Sequence, residues 1–198
     1  MLVTAKTLLD ECYIQKKAMP AFNVYNLESI KAILSVSQRY KYPVILAFGE
    51  SYLSHCDFAD IYSLVASLVE KHPFPVCLHK NEDHKISGIK HGFTSVMYDG
   101  SFLPLQENMY RTKKITEYVH SSGISIEAEL GGMNSESGAD SADSLSFKYT
   151  SAADAGEFVQ TTGVDSLAIS VGNVHGLYKG EPHLEFERIA SISAQVKI

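Results

Sequence analysis

Ile126-Glu127-Ala128-Glu129-Leu130-Gly131-Gly132-Met133-Asn134-Ser135-Glu136 reads as a strand that breaks into a loop. Ile126, Ala128 and Leu130 alternate with Glu127 and Glu129. That period of two sends the apolar set to one face and both carboxylates to the other. Charges on the second face of a strand are costly unless paired or bound to a cation. A glycine pair and a polar segment with a third carboxylate, Glu136, follow. A strand that ends in acid and then in loop is where an α/β enzyme keeps its chemistry.

Working outward, short apolar runs alternate with amphipathic stretches. Thr4 is placed to cap a helix over Thr4–Gln15, followed by a short strand, Ala21–Val24. Leu27–Tyr40 is helical, with Ile30, Ile33, Leu34 and Val36 apolar. Pro43–Phe48 is a buried strand, and Phe58–Lys71 a helix with Ile61, Leu64, Val65 and Leu68 in register. Pro75–His79 is a strand, Ile86–His91 a clipped helix, and Ser95–Asp99 a strand. Leu105–Ser121 is a helix, Ser125–Leu130 the acid-bearing strand, Ala152–Thr161 a helix, Ser166–Val171 a strand and Leu184–Val196 a final helix.

Helices between consecutive strands imply a parallel sheet with right-handed crossovers. A spacing on the order of 30 residues per unit suits a (β/α)8 TIM barrel of about 250 residues. The residues leave two α/β expectations: a single TIM-barrel domain over residues 1–198 with its last units absent from the chain, or an open doubly wound sheet.

The bulk numbers narrow the function classes. The chain has 198 residues, 45% hydrophobic and 20% charged, which supports a substantial core. A net charge of -6 argues against a nucleic-acid partner, which would call for a basic face. No apolar run approaches the ~20 residues that span a bilayer, and no signal peptide is evident, so no membrane partner and a cytoplasmic location are expected. Cys12, Cys56 and Cys77 are odd in number and form no CxxC, which fits reduced, buried thiols.

Several segments carry a family resemblance. Ser125–Glu136 and Gly172-Asn173-Val174-His175-Gly176-Leu177-Tyr178-Lys179-Gly180-Glu181-Pro182 resemble the class II (metal-dependent) ketose-bisphosphate aldolases. Ala21-Phe22-Asn23-Val24, Gly92–Ser101 and Thr162–Ala168 are similar to the same family, in the same order. The resemblance implies a TIM barrel with its site at the C-terminal mouth. It implies a Zn2+ ion, with room for a second divalent or a monovalent cation. The implied substrate is a small sugar phosphate, and the implied assembly is a homodimer or homotetramer.

Carried over position by position, the resemblance makes His175 a metal ligand and Gly176 a backbone contact to substrate phosphate. Lys179 is read either as a point charge for phosphate or as a solvated loop lysine. Glu136 becomes the acid of a catalytic loop, and Glu129 and Asp99 a second metal position, with a turn cap as the other reading of Asp99. Asn23 and Ser51 fall where they would line the substrate pocket.

One departure is plain. The family carries His-x-Asp-His-Gly after the third strand, the Asp as proton donor and the second His as metal ligand. Here the text is Leu78-His79-Lys80-Asn81-Glu82-Asp83-His84-Lys85. Read in place, Asn81 replaces the Asp and Glu82 the His; read with a shift, Asp83 and His84 supply the pair. By the barrel's regular unit, about four residues are missing between His79 and Lys80. A non-catalytic relative that binds sugar phosphate is the alternative. A glycosidase is a weaker one, because Glu127 and Glu129 share one strand face instead of flanking a substrate.

Overall fold

The computed structural model describes residues 1–81, 86–132, 149–173, 181–196 and 198. The local code works as expected at the helix starts. Thr4 caps α1 (Ala5–Gln15), its hydroxyl accepting from Thr7 N at 3.2 Å. Asn26 and Ser29 form a reciprocal box ahead of α2 (Leu27–Tyr40). Asp57 caps α3 (Phe58–Val69), accepting from Asp60 N at 2.8 Å. Each cap satisfies an orphan N–H, worth about 1 kcal/mol.

Six strands form: β1 (Ala21–Asn23), β2 (Val44–Gly49), β3 (Val76–Asn81), β4 (Ser95–Tyr98), β5 (Ser125–Leu130) and β6 (Ser166–Ile169). They are hydrogen-bonded in chain order, and β1 to β4 pair in parallel. The remaining helices are α4 (Leu105–Ser121), α5 (Ala152–Thr162) and α6 (Phe186–Gln195). The chain divides into two compact units, one of Met1–Tyr98 with Ile115–Glu127, the other of Asp99–Lys114 with Ala128–Ile198.

In the first unit the register sorts side chains by face. Val44, Leu46 and Phe48 of β2 stand beside Val76, Leu78 and Lys80 of β3. The apolar members of this face pack against Ile30 and Leu34 of α2 and Ile61, Val65 and Val69 of α3. Each buried aliphatic side chain contributes roughly 1.5–3 kcal/mol. On the opposite face, Ile45 and Cys77 pack against Ala5 and Leu8 of α1. The C-terminal end of that face is left to Ala47, His79 and Asn81.

The six strands expected of an incomplete barrel all form. The fold is α/β with a six-stranded sheet, and not a full (β/α)8 barrel, because two of the eight strands needed for closure have no counterpart among the described residues. His79 and Lys80, between which the sequence reading has about four residues missing, are consecutive residues of one strand. β3 runs through both, with Ala47 opposite His79 and Phe48 opposite Lys80. The segment before β4 is short: one 3-10 turn, Gly88–His91, ends at Gly92 with φ 83°. A Cβ at Gly92 would come within 2.4 Å of the Tyr62 ring.

Leu46, fully buried in the helix-facing layer, sets a test of this packing. Leu46→Ala is expected to cost about 2–5 kcal/mol by urea unfolding, against less than about 0.5 kcal/mol for Ile14→Ala. Ile14 is 80% exposed on α1. Equal effects would contradict the assignment of this face.

Candidate functional site

In the first unit the C-terminal ends of β1 and β3 and the start of β5 carry polar side chains. Asn81 Nδ2 donates to Asn23 Oδ1 at 3.0 Å, joining β3 to β1. Asn23 is exposed at the end of β1. Ser51 is also exposed, on a 3-10 turn (Glu50–Tyr52) that follows β2 directly. Lys80 ties that turn to β3. Its Nζ donates to Glu50 Oε1 at 2.8 Å and lies 4.7 Å from the centre of the Phe58 ring.

His79 is 3% exposed. Its Nδ1 shares a 2.8 Å hydrogen bond with Ser95 Oγ, while Nε2 has no hydrogen-bond partner and lies 3.6 Å from Glu127 Oε2. Burial pushes the imidazole down to about 4. Burial pushes the Glu127 carboxyl up to about 7, although 31% of its side chain remains exposed. The contact lies within ion-pair distance, yet near pH 6 neither group carries its charge. We read it as two neutral groups and not as a salt bridge. The Cys77 thiol, pushed up to about 12 by burial, is inert.

In the second unit Glu129 is buried on β5, and its backbone carbonyl accepts from Asn108 Nδ2 at 3.1 Å. Thr112 Oγ1 in turn donates to Asn108 Oδ1 at 3.0 Å. Asp99 follows β4 and uses Oδ1 to accept from Ser101 N at 2.8 Å. That bond is the turn-cap alternative of the sequence reading, and it commits one carboxylate oxygen. Glu136, His175, Gly176 and Lys179 lie outside the described residues, as do Glu82, Asp83 and His84.

Among the described residues no three His, Cys, Asp or Glu side chains come together to hold a metal ion. The described donors toward such an ion are the carboxylates of Glu129 and Asp99, and Asp99 Oδ1 already accepts from Ser101 N. Oxygen donors of this kind suit zinc only when nitrogen or sulfur ligands join them. An apolar groove of about 540 Å³, lined by Phe22, Ile33, Val36, Tyr40 and Val44 among others, holds none of the candidate residues.

Sequence reasoning missed the His79–Glu127–Ser95 group and the Lys80–Glu50 pair. Alternation along β3 puts Cys77, His79 and Asn81 on one face, and that was a readable signal for His79. Nothing local marks Glu50 as the partner of Lys80.

The family model of class II fructose-bisphosphate aldolases matches residues 3–198. Among solved structures, the YdjI aldolase from Escherichia coli K12 is 31% identical, with a TM-score of 0.87 over 100% of this chain and 71% of that one. A protein from Coccidioides immitis, provisionally named a fructose-1,6-biphosphate aldolase, is 30% identical with a TM-score of 0.82. That likeness covers 96% of this chain and 69% of that one. Fructose-bisphosphate aldolase from Campylobacter jejuni shares the fold at 23% identity and a TM-score of 0.77, over 98% of this chain and 66% of that one.

The buried imidazole makes stability pH-dependent. His79 titrates at about 4 when folded and near 6.5 when free, so protonation favours the unfolded chain. Its contribution is complete above pH 6.5 and is lost as pH falls toward 4. Glu127 acts in the reverse sense, its contribution complete below 4.5 and lost as pH rises toward 7. His79→Asn is expected to flatten the acid side of a plot of urea midpoint against pH. Parallel curves for the two proteins would remove His79 as the cause.

Proposed function

The chain belongs to the class II fructose-bisphosphate aldolase family, and we propose that it is a Zn2+-dependent aldolase acting on a ketose 1,6-bisphosphate. The products are dihydroxyacetone phosphate and glyceraldehyde 3-phosphate. The match along residues 3–198, which takes in every motif segment of the sequence, carries this reading. The implied setting is the cytoplasm, with small sugar phosphates as partners and a homodimer or homotetramer as the assembly. No described helix is long and apolar enough to cross a membrane.

Cleavage breaks the bond between C3 and C4. The C4 hydroxyl gives up its proton as the aldehyde forms, and the electron pair stays on the ketone-bearing half as an enediolate. A proton returned to C3 completes dihydroxyacetone phosphate. Carbon acidity beside a ketone is poor, and a bound divalent cation supplies several kcal/mol as a Lewis acid at the oxygen. His175 is the residue proposed to hold it, with Glu129 and Asp99 at a second cation position. Glu136 moves the proton at C3. The Gly176 amide and the Lys179 ammonium bind phosphate, and Asn23 and Ser51 line the pocket.

The second reading, a relative that binds sugar phosphate without cleaving it, is favoured by one observation. Asn81 sits at the C-terminal end of β3 with its amide bonded to Asn23. An amide cannot supply the proton that the family's Asp supplies there.

A cleavage assay on fructose and tagatose bisphosphates, with and without a chelator, tests the first reading. Activity is expected, abolished by complete metal removal and restored by Zn2+. Activity that survives complete removal sinks the metal role. Binding without cleavage selects the second reading, and then Asn81→Asp is expected to raise the cleavage rate at least about tenfold, by supplying a general acid.

A further inference from the structure

Thr150 stands one residue before Ser151, the N-cap of α5, and is the second residue of the described segment 149–173. It is 2% exposed, and its hydroxyl and N–H face the ends of β5 and β6. Its hydroxyl donates to the carbonyl of Leu130, the last residue of β5. The same oxygen accepts from Ser170 N at 2.9 Å, one residue past β6, and Thr150 N donates to Ser170 O at 3.0 Å. The Thr150 carbonyl is taken by Arg188 of α6, whose Nη1 donates at 3.2 Å.

The knot extends to both strand ends. Ser170 Oγ donates to Gly132 O at 3.0 Å. Val171 N donates to Asn173 Oδ1 at 2.9 Å, and Glu185 N to Val171 O at 2.9 Å. Gly172, at φ 101°, lies so close to the segment before α6 that a Cβ would come within 2.1 Å of His183 O. Arg188 stacks on the Tyr149 ring at 4.7 Å and leaves its Nε buried without a partner. A buried orphan donor costs about 1–3 kcal/mol. That cost is borne to bring the guanidinium to Thr150.

We propose that Thr150 is a positioning residue: its hydroxyl and backbone weld the ends of β5 and β6 together and so fix the points from which the segments carrying Glu136 and His175 depart along the chain. Its catalytic consequence rests on the aldolase reading. Its structural content does not. Thr150 touches no reacting atom in this scheme. It acts by holding Gly131–Gly132 and Ser170–Asn173, from which the reacting groups follow in sequence.

Three variants of the full chain test this. Thr150→Val keeps the shape and removes the hydroxyl. Thr150→Ser keeps the hydroxyl. Ser170→Ala removes the bond to Gly132 alone. Amide hydrogen exchange over 130–132 and 169–173 is measured with thermal stability, kcat and KM. Thr150→Val is expected to lose protection at Ser170 and to lower kcat at least about tenfold with little change in KM, since misplaced catalytic groups cost rate more than binding. Thr150→Ser is expected to restore both.

A lower melting temperature in Thr150→Val, with wild-type kcat and unchanged exchange at Ser170, overturns the proposal. If Thr150→Val does not fold, Ser170→Ala decides: faster exchange at 130–132 with a lowered kcat upholds the weld, and wild-type values for both overturn it. If the wild-type chain cleaves no bisphosphate, the aldolase reading fails separately. Exchange then decides alone: loosening of both strand ends in Thr150→Val, reversed in Thr150→Ser, upholds the weld, and unchanged protection overturns it.

Discussion

Parallel pairing of β2 with β3 holds Leu46 beside Leu78 and Ala47 beside His79, and both faces of the first unit follow from that register. A slip of one residue would exchange the faces. If β3 slipped along β2, Val76 and Leu78 would leave the layer under α2 and α3, and Cys77 and His79 would enter it. Burial of Leu46, Phe48, Leu78, Ile61 and Val65, each at or near zero exposure, is what holds the register. The polar side chains at the strand ends are brought to their positions by this apolar layer and then joined by their own hydrogen bonds.

Lys80 is the exception on the apolar face, and its surroundings show how the cost is met. An ammonium taken out of water is unstable unless its charge and protons are matched. Glu50 supplies the charge from a turn that is itself 35% open at the carboxylate, and the Phe58 ring lies over the ammonium. Gly88 packs over the lysine stem, where a Cβ would meet Lys80 Cδ at 3.0 Å. So the residue just before Asn81 is built into the packing from three sides. One outcome is that the turn bearing Ser51 is tethered to β3.

Helix and strand identities were legible because their signals are local. α2, α4 and β5 have the bounds that periodicity implied, and Thr4 caps as its residue type suggests. The six strands were legible as well; the barrel they belong to came from the regular unit and the family likeness, and six strands do not close one. The His79–Glu127 contact depends on which strands lie near each other in the sheet, and composition says nothing of that. Asp99 shows the limit from the other side. Its position suits a ligand and a turn cap equally, and the bond from Ser101 N reveals the second use.

Thr150 and Ser151 make the same point at finer grain. Two adjacent hydroxyl residues ahead of a helix look interchangeable, since either is a good N-cap. Ser151 takes that role, accepting from Asp154 N at 3.0 Å. With the cap filled by its neighbour, the Thr150 hydroxyl is free to turn to the carbonyl of Leu130 and the amide of Ser170. Strand ends in a parallel sheet leave main-chain groups that no further strand residue satisfies, and burial forbids leaving them bare. A threonine answers both a carbonyl and an amide with one oxygen, which valine in the same space cannot do. The demand for such a residue arises from β5 and β6 together, and so it cannot be read in the helix that the residue precedes.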